Sequence, residues 1–189
     1  MEPQETPGAG ITFEDKIKSG AIPREFIPAV KQGVIGSAKS GVLAGYPVND
    51  VKVVLVDGSF HDVDSSEFAF QMAGSLAFSD GLRKAGPILL EPIMDIEVVV
   101  PEEFMGQVIG DLSSRRAKIV ALAQRLNLRT IRANIPLAEV FNYATILRSL
   151  TQGRASYTME PSFYTEVPSH ISEKIISGFA ATGSTRKSL

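Results

Sequence analysis

Cysteine is absent from the 189-residue chain. That excludes disulfide scaffolds, thiolate zinc sites and cysteine nucleophiles together, and it fits a reducing compartment. No apolar run approaches the roughly eighteen consecutive residues a membrane helix needs, and the acidic start MEPQETPGAG lacks the basic and then apolar regions of a secretory signal. Positive charge is not in excess: 19 Lys and Arg stand against 21 Asp and Glu, for a net charge of −2. A domain that binds nucleic acid through a global field would be strongly basic, so any RNA contact here must be local. Phosphate-binding glycine motifs are missing as well. There is no G-x-x-x-x-G-K-[ST], and no G-x-G-x-x-G leads from a strand into a helix; Gly33, Gly36 and Gly41 lie within or at the end of a helical stretch. Histidine is scarce, with only His61 and His170.

What is present is the composition of a folded domain pair, 44% apolar and 21% charged. Pro3, Pro7, Gly8 and Gly10 predict a flexible lead, followed by a weak strand near Ile11–Phe13. Pro28 opens a helix whose apolar positions Ile27, Val30, Val34 and Ala38 step by three and four, and Gly41 ends it. VKVVLVDG, from Val51, reads as a strand of about seven residues. SSEFAFQMAGSLAFSDGLRKAG then predicts a helix, capped by Asp64 or Ser65 with Glu67 in a capping-box spacing. Two stripes offer themselves as its inner face: Phe68, Met72, Leu76 and Ser79, or the small Ala69, Ala73, Ala77 and Gly81. Two helices over so little strand leave a deficit of sheet, as though a strand upstream were missing.

Gly86-Pro87 marks a boundary. Ile88 to Val100 is a long β-branched strand. PEEFMGQVIGDLSSRR is a helix with acids first and arginines last, the order its dipole favours. Lys118 to about Ala123 is a strand. In RTIRANIP, Thr130, Arg132 and Asn134 alternate with Ile131, Ala133 and Ile135. LAEVFNYATILRSLTQG predicts a helix with Leu137, Val140, Phe141, Ala144 and Leu147 inward and Gly153 as its stop, and RASYTMEP a final strand. This order, β-α-β-β-α-β, is the ferredoxin-like arrangement. Pro168 opens a last helix to about Phe179, before a frayed tail. The fold class is therefore α+β, with two α/β sandwich domains: a truncated βαβ-type unit over 1–86, a ferredoxin-like unit over 87–166, and a C-terminal helix and tail over 167–189.

The stretch DGSFHDVDSSEFAF, from Asp57 to Phe70, gathers most of the residues capable of chemistry. His61, Asp62 and Asp64 could supply part of an oxygen and nitrogen metal site, although such sites usually take three or four ligands. Ser65 or Ser66 with His61 and an aspartate has the composition of a hydrolytic triad, but neighbours in one tight turn tend to point apart. An exposed loop with no role is the plain alternative. Arg115, Arg116 and Lys118 form a small basic cluster, with Arg125, Arg129 and Arg132 further on and Arg148 and Arg154 near a helix end. They suit either a solvated helix end or a phosphate contact.

Four stretches, GAIPREFIPAVKQG, GSFHDVDSSEFAF, LLEPIMDIEVVVPEEFMGQVIGDLSSRR and PLAEVFNYATILRSLTQGRASYTME, occur in the order and spacing of bacterial-type elongation factor G, the GTPase that drives translocation on the ribosome. The chain resembles the fourth and fifth domains of that family from about Glu2 to Ile176. The resemblance implies an excised piece: the GTPase domain, the next two domains and a glycine-rich segment supplying the missing strand would lie upstream. One departure is IVALAQRLNLR at 119–129, which lacks the glycine common there in relatives.

The resemblance also implies roles. The loop matching Ser59, Phe60, His61 and Asp62 would sit at the tip of the fourth domain, reach the decoding centre and touch the paired tRNA and mRNA. Imidazole can donate to ribose hydroxyls and phosphates and can stack on a base. Arg115, Arg116 and Arg148 would contact large-subunit rRNA near the factor-binding centre. No residue of this chain would be catalytic and no cofactor or metal would bind to it; GTP and magnesium would belong to the GTPase domain of the parent. The partner would be the ribosome and not a membrane, in the cytoplasm or in an organellar matrix or stroma. The rivals are a ribosome-recycling or ribosome-protection paralogue, and a free-standing hydrolase or metal protein built on His61, Asp62 and Asp64.

Overall fold

The structure, a computed structural model, describes residues 1–4, 6, 8–18, 20–61 and 63–185. The chain is a mixed α+β protein that divides into two compact units, one of Met1–Pro87 with the helix from Ser169, the other of Ile88–Pro168.

The first unit carries strands β1 (Glu2–Pro3), β2 (Ile11–Asp15) and β3 (Val51–Leu55), with helices α1 (Ile27–Ser40) and α2 (Glu67–Lys84). β3 is central. It pairs in parallel with β2 along its whole length and antiparallel with β1 over two residues. The lead expected to be flexible is tied down: the Asp50 carboxylate accepts from the backbone N–H of Gly8 and Gly10 at 3.1 and 3.0 Å. Pro28 sits in the first turn of α1, where its missing N–H costs little. Gly41 caps the helix at φ 60°, and its N–H donates to the Ser37 carbonyl.

The expectation for α2 is corrected on two counts. Neither anticipated stripe is its inner face. The helix buries Phe70, Gly74, Phe78 and Leu82, while Phe68, Met72 and Leu76 are exposed. The reason lies in α1. A Cβ on Gly74 would fall 2.6 Å from the Val30 carbonyl oxygen, and one on Gly33 would overlap the Gln71 carbonyl. The two helices therefore meet backbone to backbone at these glycines, and the Ser37 and Ser79 hydroxyls hydrogen-bond across the seam at 2.7 Å. The cap is also neither Asp64 nor Ser65 but Ser66, whose Oγ accepts from the Ala69 N–H at 3.1 Å.

The second unit carries β4 (Leu90–Pro101), α3 (Met105–Ser114), β5 (Lys118–Arg125), β6 (Leu128–Pro136), α4 (Tyr143–Leu150) and β7 (Ser156–Glu166). The sheet order β5-β6-β4-β7, all antiparallel, is the ferredoxin-like order. Alternation on β6 holds: Ile131, Ala133 and Ile135 are fully buried, against Ile96, Val98 and Val100 from β4 and Val108 and Leu112 from α3. The predicted helix from Leu137 is shorter than expected. A single 3-10 turn covers Leu137–Glu139, and Asn142 at φ 62° interrupts before α4 begins. Phe141 and Ala144 are consequently exposed, not inward, and Tyr143 with Leu147 fills the core. Between β5 and β6, in the stretch without glycine, Leu126 takes the left-handed conformation at φ 56°, a strain of roughly 1–2 kcal/mol. Helix α5 (Ser169–Thr185) belongs with the first unit, where the Phe179 ring lies against Gly45.

Candidate nucleic-acid interface

Strand β3 ends at Leu55 and α2 starts at Glu67, so Val56–Ser66 form a loop held at both ends by regular structure. Ser59, Phe60 and His61 are exposed; Asp62 lies outside the described residues. The loop closes on itself through His61 and Ser65. The backbone N–H of His61 donates to Ser65 Oγ at 2.9 Å, and the Ser65 N–H donates to the His61 carbonyl at 3.1 Å. Position 61 is therefore fixed through its backbone, while its imidazole has no described partner and faces solvent. On either side of it Phe60 is 41% and Val63 93% exposed. Val63 is absent from the residues expected at this site; the only signal for it is an apolar residue placed between two aspartates.

This arrangement does not assemble hydrolytic chemistry. Ser65 Oγ and Ser66 Oγ both accept from backbone amides, and no described hydrogen bond links either hydroxyl to the imidazole. Among the described residues, no three His, Asp or Glu side chains converge as metal ligands.

The arginines are placed differently from one another. Arg115 donates Nε to Asp111 at 2.8 Å and Nη1 to the Glu139 carbonyl at 2.8 Å, with its guanidinium over the Tyr143 ring. Arg116 donates through both terminal nitrogens to the Glu91 carboxylate at 2.7 and 2.8 Å, and through Nε to Glu139 at 2.9 Å. Those Glu91 hydrogen bonds push the Arg116 pKa above its ordinary value. A phosphate would have to compete with carboxylates for either side chain. Arg148, in the last turn of α4, is exposed, with no ion pair among the described residues. Arg129 and Arg132 pair with Glu102 and Asp95, and Arg154 pairs with Glu103 while stacking on Phe104.

Residues 1–86 match the family model for elongation factor G, domain IV, and residues 88–175 match that for the elongation factor G C-terminus. The chain belongs to the elongation factor G family and carries these two regions of it. Neither match is to a GTPase domain. A crystal structure of a protein from Thermus thermophilus is similar at 42% identity and a TM-score of 0.81, over 95% of this chain and 27% of that one. The chain thus spans under a third of the structure it matches. Among the described residues, no helix is long and apolar enough to cross a membrane.

Proposed function

We propose that this chain acts in ribosomal translocation, with the Ser59–His61 loop, and Asp62 beside it, entering the decoding centre to hold or move the paired tRNA and mRNA. The observation that carries the reading is the loop itself. An exposed imidazole stands on a backbone position held by two hydrogen bonds with Ser65, between a strand and a capped helix, on a chain of the elongation factor G family. Pre-positioning of this kind lets a contact form without ordering a loop at the moment of binding. The partner is the ribosome, in the cytoplasm or an organellar equivalent, and the GTP and magnesium that power the step are handled by a GTPase domain of the parent factor. The described residues of this chain perform no bond chemistry in this reading. Arg148 is the better placed of the three arginines for a contact with large-subunit rRNA, because Arg115 and Arg116 are committed to carboxylates.

The test is His61→Ala in the complete factor. Ribosome-stimulated GTP hydrolysis is expected to persist while single-turnover translocation slows by roughly five- to thirty-fold, the loss of a contact worth about 1–2 kcal/mol. Translocation at the normal rate would sink the reading.

A further inference from the structure

The tip loop is acidic, although its target in this reading is RNA. Its described acidic residues are Asp57 and Asp64, and both repel phosphate. The cations that offset them lie on a neighbouring loop. Strands β2 and β3 run parallel, so the chain leaving Asp15 and the chain leaving Leu55 emerge at the same end of the sheet. Two contacts join them. The Lys16 N–H donates to the Leu55 carbonyl at 2.8 Å, and Ile22 packs against Gly58, where an added Cβ would fall 2.7 Å from Ile22 Cγ1. Ile22 is itself anchored: it is 4% exposed and shares a cluster with Ala29, Val30 and Phe70. Bracing of one loop therefore braces the other.

On either side of that anchor stand Lys18 and Arg24. Both are exposed, and neither has an ion pair among the described residues, whereas Lys16 nearby is paired with Glu14 at 3.1 Å. Glu25 follows Arg24 and is the acid closest to it in sequence. We propose that Lys18 and Arg24 form a second RNA contact, taking phosphates of the strand whose paired region meets the His61 loop. The inference rests on the translocase reading. In it the two loops divide the work: the shape-dependent contact falls to the imidazole, and the charge-dependent contact falls to the flanking cations. Ile22 and Gly58 set the distance between them.

The two contributions separate by salt dependence, because only cation–phosphate contacts release counterions. The experiment measures binding of the intact chain to purified bacterial ribosomes programmed with mRNA and tRNA, from about 50 to about 200 mM salt. The Lys18→Gln, Arg24→Gln double variant is expected to weaken binding several-fold at the low-salt end. It should also flatten the log–log salt slope by about 1.4 to 1.8, the value for two phosphate contacts. His61→Ala is expected to weaken binding with its slope unchanged. All variants are at exposed positions, and their thermal melts should superimpose on that of the parent chain. A double variant with the parental slope overturns the proposal. A flattened slope in the double variant, together with normal binding by His61→Ala, upholds the second contact and sinks the reading of the tip. Failure of the parent chain to bind ribosomes overturns both.

Discussion

In the second unit, Ile96, Val98, Val100, Val108, Leu112, Ile131, Ala133 and Ile135 are fully buried in one continuous cluster under a four-stranded sheet. In the first unit no described apolar residue reaches zero exposure. Its core is split into one cluster around Val34, Val53 and Phe78 and another around Ile22, Val30 and Phe70, under a sheet whose central strand is five residues long. The difference follows from the strands. Eleven- and twelve-residue strands β7 and β4 pair along most of their length, whereas β1 supplies two residues to β3. The second unit is built for stability from its sheet. The first depends on helix-to-helix contact and spends its loops on display, as expected where exposed segments are drawn from the less protected part of a protein.

The largest effect that tests this contrast is expected at Arg116. Glu91 is 8% exposed, and its carboxylate is held by the guanidinium at two points. Arg116→Met strands that charge, so unfolding of the second unit should become easier by about 3 kcal/mol. Adding Glu91→Leu removes the stranded charge and should restore most of the loss. Hydrogen exchange should rise across β4, β6 and α3 and stay unchanged in α1 and α2. Equal acceleration in both units would break the division between them. A smaller effect is expected at the cap of α2. Ser66→Ala removes the acceptor for the Ala69 N–H and should cost about 1 kcal/mol, read as faster exchange in the first turn of α2 and in the loop that leads into it. If the loss appeared only in the melt and not in that turn, the cap would not be what holds the loop.

Legibility in the sequence divided along the same line. β6 could be assigned face by face, because one side of a sheet over a single core imposes a strict alternation, and Ile131, Ala133 and Ile135 obey it. For α2 the pattern was ambiguous: Phe68, Phe70, Met72, Leu76, Phe78 and Leu82 put apolar groups on every side. The choice was made by a contact with α1 at Gly33 and Gly74 that no local period encodes. The loop between β3 and α2 was legible as a loop because its punctuation is local, an Asp-Gly pair followed by serines ahead of a helix. The pairing of Arg116 with Glu91 and Glu139 was not, since its partners lie 25 and 23 residues away. The brace between Ile22 and Gly58 was equally hidden. It depends on two loops meeting at one end of a parallel strand pair.

The finest distinction concerns a flaw inside the better-packed unit. Tyr143 is 1% exposed, stacks edge-on against Tyr157 at 5.3 Å, and its buried hydroxyl has no hydrogen-bond partner among the described residues. Burial pushes its pKa up, Asp111 adds to the shift, and the Arg115 guanidinium opposes it. The folded state thus favours the neutral phenol. Its contribution is fully present below the unfolded tyrosine pKa of about 10, and is lost as the pH climbs from there toward the higher folded value. Tyr143→Phe keeps the ring and deletes the unsatisfied group. Urea unfolding at pH 8 should show the variant about 1 kcal/mol more stable than the parent, and its advantage should widen above pH 10, where only the parent is penalised for burying the ionisable phenol. A variant less stable at pH 8 by a similar amount would mean that the hydroxyl is hydrogen-bonded in solution.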